Sequence, residues 1–318
     1  MKVSPVLYNL LKELRAGRFR PRAIRRFTKD GIRHAMDLAW SLRDLRRSFY
    51  AVSVVMLAVL AAIGVVLALI LPGGVGTGTW VAQGLLFIFV FGLTLLQLGL
   101  VRAETSGEVY DRFVLPNVLT LLRLLVIPYL LITISVSVEL APGSPDGLLA
   151  SRIAMGLVFF AVSTDVLDGT LSRHLGLTSD FGRIYDPVVD AAFHSTLAVS
   201  LFANGLVGTA YLVVVLVRYL LPPLAVSFLY LFREPFQVKS TIMGKLSSLI
   251  LSSFLTLYMA LLAFDLSSGA FHDFVTRILE PACVVTCFAT IVFFFGRGVR
   301  ILKKTKKGPK SPTVENRS

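Results

Sequence analysis

Between Asp165 and Asp190 the chain reads DVLDGTLSRHLGLTSDFGRIYDPVVD, and four of its carboxylates fall at spacings that suit chemistry. Asp165 and Asp168 stand three apart at the end of one apolar run, so a helix puts them on one face. Asp186 and Asp190 stand four apart at the start of the next run, again on one face. The short loop between makes the two helices antiparallel neighbours and brings both pairs to the same depth. Four converging carboxylates in a low-dielectric setting repel one another and cannot all stay ionised without a positive partner. Hard oxygen ligands favour Mg²⁺, Mn²⁺ or Ca²⁺. This many could hold two ions about 3.5–4 Å apart, an arrangement used for displacement at phosphorus. Gly169 lets a ligand or backbone come close, and Arg173, at the same helix end, can donate to a phosphate. Intramembrane aspartates also serve ion or proton pathways, which is the competing chemistry.

The elements that must position these groups are membrane helices. Of 318 residues, 55% are hydrophobic and 16% charged, against about 45–50% and 25% in an average soluble domain. Apolar runs near 50–72, 80–101, 116–138, 150–171, 187–206, 209–232, 243–264 and 278–296 approach the roughly 20 residues a bilayer-spanning helix needs. The fold class expected is therefore an all-α integral membrane protein of about eight spans. The net charge of +13 points to no nucleic-acid partner, because of where it sits. Residues 1–48 carry 13 Lys or Arg against four acids, and 297–318 carry eight against one. Such flanks belong on the cytoplasmic side, which places both termini there and agrees with an even number of spans. In a bacterium that membrane is the plasma membrane. No cleavable leader is expected, since about 48 polar, basic residues precede the first apolar run. Cys283 and Cys287, four apart in the last run, read as small hydrophobes.

Four regions follow: a basic cytoplasmic segment 1–48, an accessory transmembrane hairpin 49–103, a catalytic block 104–302, and a basic, disordered tail 303–318. In the first, two helical stretches are expected, joined by the basic segment Arg18 to Lys29. The hairpin carries almost nothing ionisable. Every polar residue of interest within an apolar run lies in the block, including Arg218.

The pattern D-x-x-D-G-x-x-S-R-x8-G-x-x-x-D-x-x-x-D resembles that of the CDP-alcohol phosphatidyltransferase family, which has Ala where Ser172 stands. LPNVLTLLRLLVIP, with Pro116, Asn117, Thr120 and Arg123, resembles the first core span of bacterial phosphatidylglycerophosphate synthases. Arg218, and Thr241 to Lys245, resemble further elements of that subgroup. The resemblance covers 113–300 and implies a six-helix bundle with the hairpin as an addition. It implies that Asp165, Asp168, Asp186 and Asp190 bind a divalent metal, Mg²⁺ or Mn²⁺, as two ions, with Asp190 also the general base. Gly169, Arg173 and Gly182 would hold the CDP-lipid, helped by Asn117 and Thr120. Arg218, Lys239 and Lys245 would hold the acceptor.

The implied partners are CDP-diacylglycerol, a small alcohol and the lipid bilayer, with room for a homodimer. The implied reaction transfers a phosphatidyl group to glycerol 3-phosphate with release of CMP. Inositol phosphate, serine, phosphatidylglycerol and choline are alternative acceptors. Three departures bear on the acceptor: Tyr219 replaces the usual Glu, Ala191 a usual Lys, and Ser247 a second Lys.

Overall fold

The computed structural model describes residues 5–71, 73–104, 106–140, 143–232, 242–266 and 268–306, with side chains over 11–71, 73–104, 106–140, 143–225, 242–266 and 268–296. Among these the regular secondary structure is helical, apart from two isolated β-bridges. In order come α1 (Pro5–Ala16), α2 (Pro21–Ser41), α3 (Arg43–Ile70), α4 (Thr77–Leu96), α5 (Leu115–Leu125), α6 (Ile127–Glu139), α7 (Pro145–His174), α8 (Asp180–Ala203), α9 (Thr209–Phe232) and α10 (Ile242–Ala263). A single turn, α11 (Ala270–Asp273), leads through a π-helical stretch, Phe274–Leu279, into α12 (Glu280–Lys306).

Among the described residues six helices are long and apolar enough to cross a membrane: Arg43–Ile70, Thr77–Leu96, Leu115–Glu139, Pro145–His174, Ile242–Ala263 and Ala270–Gly296. The third joins α5 to α6 across a break at Val126, where Pro128 cannot donate to the preceding turn. Two more lie between α7 and α10. The first, α8, is 24 residues long and is made less apolar by the aspartates it carries; the second, α9, is apolar over Thr209–Ala225. The element order therefore matches the eight expected runs.

Helix starts follow local chemistry. Ser144 accepts from the Gly147 amide at the start of α7, and Ser179 accepts from the Gly182 amide at the start of α8, each satisfying an N–H that the helix itself leaves unpaired. At the N-terminus the expected joint is shorter than 18–29. It spans Gly17 to Arg20, with Arg18 and Phe19 in the left-handed region. Pro21 then opens α2, whose one uninterrupted helix takes in Arg22, Arg25, Arg26 and Lys29. Helix α3 starts at Arg43, ahead of the expected boundary at 49, and α12 runs to Lys306, beyond the expected start of the tail at 303. Lys239, Thr241 and residues 307–318 lie outside the described residues.

Two apolar cores hold the bundle. One joins α6 to α10 and α12 through residues such as Ile134, Val158, Leu201, Phe254 and Cys283; both cysteines are free and buried, as the sequence suggests. The other joins the hairpin to α5, α6 and α8 through Phe49, Leu60, Leu98, Leu125, Tyr129 and Phe181. Rings run continuously across that seam: Phe49 lies 5.2 Å from Phe113, Phe113 5.6 Å from Phe181, and Phe181 stacks at 4.0 Å on Tyr185. The Tyr129 hydroxyl donates 2.8 Å to the Leu60 carbonyl of α3. Inside a bilayer such contacts depend on close packing, since lipid tails are as apolar as Leu.

Gly64 marks the tightest point of this seam. A Cβ there would overlap the Trp80 ring and stand 2.7 Å from the Tyr129 hydroxyl, whereas Gly84 has nothing within 4 Å. Overpacking of this kind costs about 1–3 kcal/mol. Gly64→Ala should therefore lower the melting temperature in detergent by several degrees and Gly84→Ala should not. Equal melting temperatures for the two variants would show that the hairpin is loosely docked.

Candidate active site

The site is built where α5, α7 and α8 meet. The Asp168 carboxylate lies buried on α7, and Asp186 faces it from α8. Both approach one hydroxyl of α5: Thr120 Oγ1 is 3.2 Å from Asp168 Oδ2 and 3.0 Å from Asp186 Oδ1. It is also 3.0 Å from the Pro116 carbonyl. A hydroxyl has one proton to give, so it cannot satisfy both carboxylates. Asp165 and Asp190 complete the group with side chains 50% and 34% exposed.

Arg123 lies among them, with a side chain only 2% exposed. Its guanidinium bonds Asp165 and stands 3.3 Å from Asp190 and 3.9 Å from Asp168. This is the functional residue that the motif reading passed over, taking it only as a mark of resemblance. The signal was present: an arginine inside an apolar span is costly unless it meets an anion.

The residues fit a divalent ion by donor chemistry and charge. Four carboxylates face one guanidinium, which leaves a deficit of positive charge in a half-buried site. Their oxygens are hard donors. The cage is not preassembled, because Arg123 lies between the pairs; among the described residues no three His, Cys, Asp or Glu side chains are gathered around one point.

Beside the carboxylates opens a pocket of about 190 Å³. Its lining includes Asn117, Thr120, Asp168, Gly169, Arg173, Gly182 and Asp186, so every residue expected to hold the CDP-lipid borders one space. A Cβ at Gly182 would project into this cradle, 3.5 Å from Asn117 Oδ1 and 3.7 Å from Asp186 Oδ2. Asn117 is 1% exposed and its Oδ1 accepts 2.9 Å from Ser179, the residue that caps α8. Its amide nitrogen, also buried, has no hydrogen-bond partner among the described residues. Of the residues expected to hold the acceptor, Arg218 and Lys245 are not among the described residues lining this pocket, and Lys239 lies outside the described residues. Lys245 is exposed on α10, and Arg218 is buried on α9.

Arg218 makes no ion pair among the described residues. It donates to Ser247 Oγ from Nε (3.0 Å) and Nη2 (2.7 Å), to Ser248 Oγ (2.8 Å) and to the Gly244 carbonyl (3.0 Å). Its guanidinium lies 4.5 Å over the Tyr219 ring, and that ring stacks 4.5 Å from His194. His194 Nδ1 is 3.0 Å from the Asp190 carbonyl. Tyr219 and Ser247, two of the three departures from the family pattern, thus both touch Arg218.

The sequence model of the CDP-alcohol phosphatidyltransferase family matches residues 113–293. The chain is 25% identical over 191 residues to the CDP-diacylglycerol–glycerol-3-phosphate 3-phosphatidyltransferase of Aquifex aeolicus, covering 59% of this chain and 98% of that protein. It is 32% identical over 91 residues to a probable phosphatidylglycerophosphate synthase of Mycobacterium tuberculosis, covering 29% of this chain and 41% of that one. With a Rickettsia felis protein named like that of Aquifex it shares 32% over 76 residues, 24% of this chain and 37% of the other. No solved structure matches the chain. With its family match extending over more than half its length, and with the paired aspartates on two adjoining helices, this membrane protein belongs to the CDP-alcohol phosphatidyltransferase family and is an enzyme of that class.

Proposed function

We propose that the protein transfers a phosphatidyl group from CDP-diacylglycerol to glycerol 3-phosphate, releasing CMP, in a membrane with both its termini on the cytoplasmic side. The observation that carries this reading is that one pocket joins Asp168 and Asp186 of the aspartate cluster to Asn117, Gly169, Arg173 and Gly182. Relatives from Aquifex aeolicus and Treponema pallidum carry glycerol 3-phosphate in their names.

Asp165, Asp168, Asp186 and Asp190 are assigned to hold Mg²⁺ or Mn²⁺, as two ions. When bound, the metal supplies positive charge against the diphosphate and the departing CMP. Arg123 keeps the carboxylates together by meeting three of them at once. Arg173, on the pocket wall beside Gly169, donates to the diphosphate. Asn117, with its free amide hydrogens, donates to the nucleotide. Asp190 takes the proton from the acceptor hydroxyl as that oxygen bonds to the lipid-bearing phosphorus and the bond from phosphorus to CMP breaks.

Arg218 meets hydroxyls, a carbonyl and a ring, so its charge remains available for a phosphate on the acceptor, with Lys245 and Lys239 assisting. A second acceptor, inositol phosphate, is favoured by one observation: Tyr219 and Ser247 change the immediate surroundings of Arg218 from those usual in the glycerol 3-phosphate subgroup.

Purified enzyme given CDP-diacylglycerol and a panel of alcohols should release CMP fastest with glycerol 3-phosphate. A faster reaction with inositol phosphate would reassign the acceptor, and equal rates with serine or choline would remove the role given to Arg218. In the same assay Arg218→Ala should raise the acceptor KM roughly 10- to 100-fold, the effect of losing one charge-assisted contact. Asp190→Asn should lower kcat by about 10²–10⁴-fold while the CDP-lipid still binds. Loss of CDP-lipid binding in both variants alike would show a structural network in place of divided roles. For the topology, a cysteine placed at Thr77 should react with an impermeant reagent in intact cells and one placed at Ser311 should not; the reverse pattern would overturn it.

A further inference from the structure

The linker between hairpin and bundle folds back onto the mouth of the pocket. Arg102 pairs across an isolated bridge with Val109, and Ala103 pairs with Ser179. The Asp180 amide donates 3.1 Å to the Arg102 carbonyl, and the Glu104 amide donates 3.1 Å to the Thr178 carbonyl. The Tyr110 hydroxyl donates 3.2 Å to the same Thr178 carbonyl. Charges lock the arrangement: Arg102 Nε lies 2.7 Å from Asp180, and Arg183 bonds both Asp180 and, at 2.9 Å, Glu104 Oε1. The segment therefore reaches the first turn of α8 from outside the stretch that the family model matches, which begins at 113.

Glu104 and Arg183 also line the pocket itself, together with Leu177 and Thr178. These groups stand at its outer end. Asp186 lies six residues, about 9 Å of helix, inward from Asp180, and Asp168 is buried beside it on the Thr120 hydroxyl. A nucleotide whose phosphates face the carboxylate end must direct its base towards the mouth. There, the Glu104 carboxylate has one oxygen on Arg183, while Oε2 makes no hydrogen bond among the described residues.

Resting on the reading of this pocket as the nucleotide site, we propose that Glu104 is a specificity-determining residue that reads the pyrimidine base. A carboxylate accepts from the exocyclic amine of cytosine. In uracil the same position is a carbonyl oxygen, an acceptor, which Glu104 repels. The strap thus makes a chain segment beyond the family core part of substrate selection, with Arg183 holding the carboxylate in place.

The test compares CMP and UMP as competitive inhibitors of phosphatidyl transfer, for wild type, Glu104→Ala, Glu104→Gln and Asp168→Asn, with direct CMP binding by calorimetry on each detergent-purified protein. Glu104→Ala should weaken CMP roughly tenfold, the size of one base-edge contact, and leave UMP unchanged or slightly tighter. Glu104→Gln loses the charge that pairs with Arg183 but can still accept from the cytosine amine through its amide oxygen, so it should keep most of the CMP affinity, while its NH2 group can turn to the uracil carbonyl and should tighten UMP and narrow the preference. Equal weakening of CMP and UMP by Glu104→Ala, no change in either, or a Gln variant behaving like the Ala variant would each overturn the proposal and leave Glu104 a tether. Asp168→Asn separates the two levels: if it leaves CMP binding intact, the nucleotide-site reading fails as well.

Discussion

Four aspartates at the edge of a bilayer cannot stay together by packing; their mutual repulsion must be met by positive charge, and much of the architecture serves that need. The protein supplies one cation of its own. Arg123, almost wholly buried on α5, meets Asp165 through one terminal nitrogen and Asp168 and Asp190 through the other, across two other helices. Asp186 is drawn in through the Thr120 hydroxyl, one helical turn earlier on α5. The remaining deficit of positive charge is what a bound divalent ion would meet. The same residues that gather the carboxylates therefore leave them short of full neutralisation.

Holding α5, α7 and α8 in register is the task of the surrounding packing. Ser179 caps α8 and at the same time donates to Asn117 on α5, so one hydroxyl starts the helix that carries Asp186 and Asp190 and ties it to the helix that carries Arg123. The aromatic run from Phe49 to Tyr185 fastens the N-terminal hairpin against the same helices. The hairpin carries no candidate ligand, yet it is structurally continuous with the site. Its exit segment, through Arg102 and Ala103, pairs with the first residues of α8. A boundary drawn at 104 separates residues that bond across it.

Spacing along the chain revealed what lies within single helices. The i, i+3 and i, i+4 aspartate pairs each lie on one helix as the spacing requires, and one member of each, Asp168 and Asp186, borders a pocket with Gly169, Arg173 and Gly182. The apolar runs gave the order of helices, because span length is set by the bilayer. Contacts between distant segments were less legible. The linker at 102–110 reads as polar, with no period, and nothing local announces that it pairs with 178–180. Arg123 was visible as a charge in an apolar span, but its partners lie 42 and more residues away. The run from Arg18 to Lys29 looked like a joint because it is charged, whereas Lys and Arg are good helix formers and Pro21 starts the helix inside it. Arg218 rests on Ser247, Ser248, the Gly244 carbonyl and the Tyr219 ring, and two of these contacts, Ser247 and Tyr219, are positions where the sequence departs from the family pattern it resembles.

The central claim is that the carboxylates gathered around Arg123 and Thr120 form a divalent-cation site. The most direct measurement is Mn²⁺ titration of the detergent-purified protein, following the free-ion signal by electron paramagnetic resonance. Saturable binding is expected in the wild type, with its affinity sharply reduced in the Asp168→Asn/Asp186→Asn double variant while the melting temperature stays close to that of wild type. Unchanged Mn²⁺ binding in a folded double variant, or no saturable binding in the wild type, would contradict it.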